Sequence, residues 1–128
     1  MLRTTRGVLA MLLLAAASQA LAHHSFAMFD TKKEVTLKGT VKEFMWTNPH
    51  AFLHVIVQKE GGGSEEWQLE MASPNMLKRR GWNRTIVKPG DVVTVVFHPL
   101  RDGSRGGSFI YLTLEDGTLL HSGVKPQE

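Results

Sequence analysis

Six histidines and no cysteine define the chemistry this sequence can offer. Without Cys there is no disulfide, no thiolate metal site and no Cys nucleophile. Any transition-metal site must therefore use imidazole, carboxylate or the chain terminus. His23 and His24 gain the terminal option if the chain is cut after Ala22. Ala20-Leu21-Ala22 supplies the small–x–small pattern that signal peptidase reads, behind Arg3, Arg6 and an apolar run over 8–17. That run is about half the roughly 20 residues a bilayer span needs, so it reads as a cleavable leader rather than an anchor. After cleavage, His23 would present an amine and a ring nitrogen on one residue. His24 could add its amide and ring nitrogens instead. Either set suits the near-planar nitrogen geometry of Cu(II), which tops the divalent affinity order.

A further ligand must come from the domain. His50, in the Thr47-Asn48-Pro49-His50 turn, is the first candidate, and His98, just before Pro99 at a strand end, is the second. His50 and His54 would share a face in a helix and could grip zinc. Pro49, Phe52, Val55, Ile56 and Val57 favour a strand, where four residues span roughly 13 Å, so that zinc pair is set aside. His54 then reads as a core or barrel-lining histidine, and His121 as a surface one. A free N-terminal His with a second His is similar to the copper-binding histidine brace in residue types alone, not in fold. The competing expectation for His23-His24 is a frayed tip, because termini commonly fray. Met28, Met45, Met71 and Met76 offer thioethers to Cu(I), although Met most often fills gaps in cores.

Outside the histidines, residues 78–84 place Lys78, Arg79, Arg80 and Arg84 around Trp82. In a cytosolic protein this would suggest a nucleic-acid contact with Trp82 as stacking platform. Export argues against nucleic acid, leaving a solvated helix end favoured by the macrodipole or a surface for an anionic ligand or protein. Trp46 and Trp67 could line a ligand groove beside it. Glu66 and Glu70 share a strand face, yet alternating carboxylates are normally the wet side of a sheet. Ser25 beside His24 lacks a strand–turn–helix setting, and Gly61-Gly62-Gly63 lacks the Lys and helix of a phosphate loop. These features favour a binding or accessory module over an enzyme.

Removing the leader leaves 106 of 128 residues to hold these groups, enough for one domain. Two of the 15 Lys and Arg lie in the leader, so the mature chain has 13 against 12 Asp and Glu, and its net charge is +1 rather than +3. Alternation of apolar and polar residues gives strands at 33–42 (continuing through Phe44-Met45-Trp46), 51–58, 65–71, 92–97 and 108–114. Gly39 marks a bend or bulge in the first. Ser73, Pro74 and Gly81 frame one short helix as N-cap, first turn and C-terminal left-handed residue. Strand–strand–strand–helix–strand–strand is the order of a five-stranded OB-like Greek-key barrel; a split β-sandwich is the alternative. The divisions are a leader at 1–22, an N-terminal segment at 23–32, the barrel at 33–121 and a loose tail at 122–128.

The ordered set of His23 to Asp30, Leu37-Lys38-Gly39-Thr40-Val41, Trp46 to His50, Trp67-Gln68-Leu69-Glu70, Arg80-Gly81-Trp82, Gly90 to Val95 and Arg101-Asp102-Gly103 resembles the exported bacterial family catalogued as domain of unknown function 6152. That resemblance implies an exported single domain, periplasmic or secreted, and brings no activity, cofactor or catalytic residue with it. The expectation is therefore a small exported binding protein. Its copper site would use His23, His24, His50 or His98; the alternative is a metal-free partner surface of Trp46, Trp67, Arg79, Arg80, Trp82 and Arg84.

Overall fold

The computed structural model describes residues 27–122. The expected leader, His23, His24 and the tail beyond Ser122 lie outside the described residues. Six strands and one helix follow in the order β1 (Val35–Met45), β2 (Phe52–Gln58), β3 (Ser64–Glu70), α1 (Pro74–Arg79), β4 (Val92–Pro99), β5 (Gly106–Leu114) and β6 (Leu119–His121).

The long first strand serves two neighbours. β1 pairs antiparallel with β4 over Val35 to Thr40 and with β2 over Thr40 to Met45. The register shift lies between Val41 and Glu43 rather than at Gly39. Gly39 has a different use: a Cβ there would stand 2.5 Å from the Ile56 carbonyl oxygen, so only glycine lets β2 approach so closely. β2 and β3 form a hairpin, and the strand order β3-β2-β1-β4-β5 closes on itself through a short parallel pairing of β3 with β5. The result is a closed five-stranded barrel with one short helix between β3 and β4.

Alternation along the strands fills its interior. Val41, Leu53, Val55, Leu69, Val93, Val95, Phe97, Phe109 and Leu112 are all buried in one core cluster, where apolar burial supplies the main stabilising term. The helix follows its sequence signals closely. The Ser73 hydroxyl accepts from the Met76 amide, Pro74 opens the first turn, and Lys78 and Arg79 lie in the last. Gly81 takes φ +88°, the left-handed conformation glycine favours. The helix carries Leu77 into the core, and Trp82 follows it.

Strand boundaries differ from the sequence expectation by one or two residues, and one strand is new. β4 continues to Pro99 because His98 and Pro99 pair with Ser108 and Gly107. β5 begins at Gly106 because that glycine and Gly107 make the parallel contact with β3. A sixth strand, β6, which no sequence expectation named, pairs with Tyr111 to Thr113 at the end of the expected barrel span 33–121.

Candidate functional site

A cleft of about 370 Å³ lies where the start of β2, the end of β3, α1 and β5 meet; His50, Glu70, Met71, Met76, Arg80 and Ser108 are among its lining residues. The His50 ring is fixed from one side. Its Nδ1 lies 3.0 Å from the Met71 carbonyl oxygen and 3.5 Å from Glu70 Oε1. A carbonyl can only accept, so Nδ1 carries the proton and donates. The Nε2 lone pair of the neutral ring is left free, as in metal-binding histidines whose other nitrogen is held by a carbonyl or carboxylate.

The chain enters the barrel beside this cleft. Asp30 N–H donates to the Pro99 carbonyl at 2.8 Å, Arg101 N–H to that of Met28 at 2.9 Å, and Arg101 Nε to that of Ala27 at 3.0 Å. Phe29 bridges to Leu100, is 5% exposed and forms part of the cleft wall. The N-terminal segment is thus tied down from Ala27 onward.

Of the histidines expected to ligate metal, His23 and His24 lie outside the described residues and His50 lines the cleft. His98 has its Nδ1 2.8 Å from the Lys33 carbonyl, which leaves Nε2 free in the same manner, but it is not part of the cleft lining. Among the described residues, no three His, Asp or Glu side chains cluster as a metal site. His54 is on the outside of the barrel, not within it. Its neighbours Leu53 and Val55 take the inward positions, and its Nδ1 donates to Glu66 Oε1 at 2.8 Å. Nε2 of His54 is buried without a partner. His121 is half-buried against Tyr111 rather than free on the surface.

The aromatic part of the partner surface needs correction. Trp82 is 3% exposed, donates its indole N–H to the His121 carbonyl at 2.6 Å and packs edge-on against Phe109. A ring so enclosed cannot serve as a stacking platform. Trp46 and Trp67 are half-buried against the core, on Phe44 and Phe97 respectively, and neither lines the cleft. Arg79, Arg80 and Arg84 are exposed, and none forms an ion pair among the described residues.

Glu66 and Glu70 do not act as a pair, because each has its own cationic or imidazole partner. Lys42 Nζ donates to Glu66 Oε2 at 2.6 Å. That hydrogen bond first, and the one from His54 second, hold the Glu66 carboxyl below the usual Glu range. A depressed folded pKa contributes stability above the unfolded value and loses it as pH falls through the folded one. Glu66→Gln is therefore expected to lower the urea midpoint slightly at neutral pH and to match wild type in acid. A deficit that stays constant across that range would contradict this assignment.

Sequence reasoning did not single out Phe29, Glu70 or Ser108 as cleft residues. β3 pairs Glu70 with Ser108 across the barrel closure, a non-local contact that no local pattern announces. Met76 did leave a signal, as an apolar residue in the first turn of a short helix that buries only Pro74 and Leu77.

Fold and cleft together define a small, closed β-barrel protein with a histidine-bearing surface cleft. The chain belongs to the Family of unknown function (DUF6152), whose model matches residues 10–109. No curated protein and no solved structure matches it. Among the described residues no helix is long and apolar enough to cross a membrane.

Proposed function

We propose that this is an exported, OB-like binding module that captures Cu(II) with its processed terminus. His23 supplies amine and imidazole, and His50 supplies the ligand from the barrel; His24 and His98 are the substitutes. The anchoring of residues 27–30 beside the His50 cleft carries this reading. From Ala27, His23 is four residues away, so it can extend at most about 14 Å. A terminus tethered so close to a histidine with a free Nε2 suffers less entropy loss on joining it than an unanchored one. The OB-like Greek-key assignment rests on the two-sided pairing of β1, the parallel β3–β5 closure and the position of α1.

The test is a Cu(II) titration by calorimetry and EPR on secreted protein whose mass shows that it begins at His23. A matched sample carries one extra Gly before it. One-to-one binding with a nitrogen-rich spectrum, lost or altered by the added Gly and weakened roughly 10–100-fold in His50→Ala, is expected. Equal, weak binding by both samples would overturn the reading.

A second reading is favoured by the unpaired Arg79, Arg80 and Arg84: this face meets an anionic ligand or protein without metal. Joint replacement of Arg79 and Arg84, which lie outside the cleft lining, by Gln should then weaken partner binding and leave Cu(II) affinity unchanged.

A further inference from the structure

The cleft holds more soft donors than a Cu(II) site uses. Met71 and Met76 both line it together with His50. Met76 is 46% exposed, one of three large apolar side chains so exposed among the described residues, with Met28 and Leu119. Burial does not explain Met76: it sits on the first turn of α1, while the residues that turn to the core are Pro74 and Leu77. Met71 also lines the cleft; it is 4% exposed, at the margin of the core cluster, and its carbonyl is the group that orients the His50 ring.

A thioether is a poor ligand for hard cations and a good one for soft monovalent metal. It also has no proton to lose, so metal need not displace one to bind it. Two thioethers and one imidazole with its Nδ1–H tied back form a neutral donor set of that type. Around them the lining is apolar at Phe29, Phe109 and Ala72 and carries one charge of each sign, Glu70 and Arg80. Its formal charges therefore cancel, which suits a singly charged ion better than a divalent one because desolvation cost rises steeply with charge.

We infer that His50, Met71 and Met76 form a binding site for a soft monovalent metal ion, Cu(I) or its analogue Ag(I). The site shares His50 with the Cu(II) reading but does not use the processed terminus, so variants at Met76 and at the terminus tell the two apart. Met76 is the residue that distinguishes them. It has no part in terminal Cu(II) capture, and its exposure lets leucine replace it without disturbing the core.

The experiment is an Ag(I) titration in chloride-free buffer, followed by calorimetry and by NMR of methyl-labelled methionine. Wild type, Met76→Leu and Met28→Leu are compared, with circular dichroism confirming equal folding. Met28 is equally exposed but does not line the cleft, so it controls for adventitious thioether binding. One Ag(I) per chain is expected, with the Met76 methyl signal shifted. Affinity should fall roughly 10–100-fold in Met76→Leu and stay unchanged in Met28→Leu and in protein with Gly added before His23. Equal affinity of Met76→Leu and wild type would overturn the inference. So would loss of Ag(I) binding on adding the Gly, which would move the ion to the terminus and leave the Cu(II) reading standing.

Discussion

Trp82→Ala is expected to destabilise the protein by about 3–5 kcal/mol, the usual range for removing a buried aromatic ring from a core. Three losses combine. The ring is 3% exposed and packs at 5.7 Å from Phe109 and 5.8 Å from Phe44, so its deletion leaves a cavity between β1 and β5. Its indole N–H is the partner of the His121 carbonyl, which would lose that bond. That bond also helps fasten β6, a three-residue strand paired along Tyr111 to Thr113. Trp82→Phe should recover part of the packing but not the hydrogen bond, and fall between the two. Single Arg79→Ala and Arg84→Ala changes, by contrast, should stay within about 0.5 kcal/mol, as exposed substitutions usually do. Urea denaturation followed by circular dichroism measures all four. Amide exchange should show β6 opening first in the Trp82 variants. A Trp82→Ala loss below about 1 kcal/mol would mean that the ring is not part of the core.

The placement of Trp82 shows where the sequence was legible and where it was not. Strand positions followed from alternation because the barrel has a wet outside and a dry inside: Trp67, Leu69 and Met71 point one way, and Glu66 and Gln68 the other. The helix was legible from Ser73, Pro74 and Gly81 because caps are local chemistry. Trp82 sits three residues beyond that helix among Arg80, Gly81, Asn83 and Arg84, so its neighbours in sequence are all exposed. Its burial depends on Phe44, Phe109 and His121, which are 27 or more residues away, and local pattern carries no trace of them. His54 misled for the opposite reason. Its apolar neighbours suggested an interior position, but alternation puts it outside, where Glu66 from the adjacent strand accepts its hydrogen bond. His50 was found from its turn and its chemistry; the Met71 carbonyl that fixes its tautomer comes from the far end of β3 and required the fold.

Among the described glycines, the tightest steric demand falls on Gly107, where β5 runs between β3 and β4. This residue faces Leu69 of β3 on one side and Pro99 of β4 on the other. A Cβ added there would overlap both the His98 carbonyl oxygen and Phe97 Cδ2. Neither neighbour can yield easily, since one is backbone within the β4–β5 ladder and the other is a fully buried ring. At Gly106 the added Cβ would stand 2.9 Å from the Gln68 carbonyl and 2.9 Å from a Leu100 methyl, a milder conflict in which the leucine can move. Overpacking in a filled core commonly costs about 1–3 kcal/mol. Gly107→Ala is expected at or above the top of that range, and Gly106→Ala clearly below it. Gly103→Ala provides the scale for backbone strain alone: its φ is +80° with nothing within 4 Å of the added carbon, so the expected cost is about 1–2 kcal/mol. The consequence extends to the cleft, because Ser108 and Phe109 follow Gly107 directly and form part of its wall. Forcing β5 away from β4 would displace that wall relative to His50, so Gly107→Ala should weaken Ag(I) binding even at temperatures where it remains folded. Gly103→Ala should leave that affinity unchanged. Equal unfolding midpoints for the Gly107 and Gly103 variants would show that β4 yields to a side chain at Gly107 without strain.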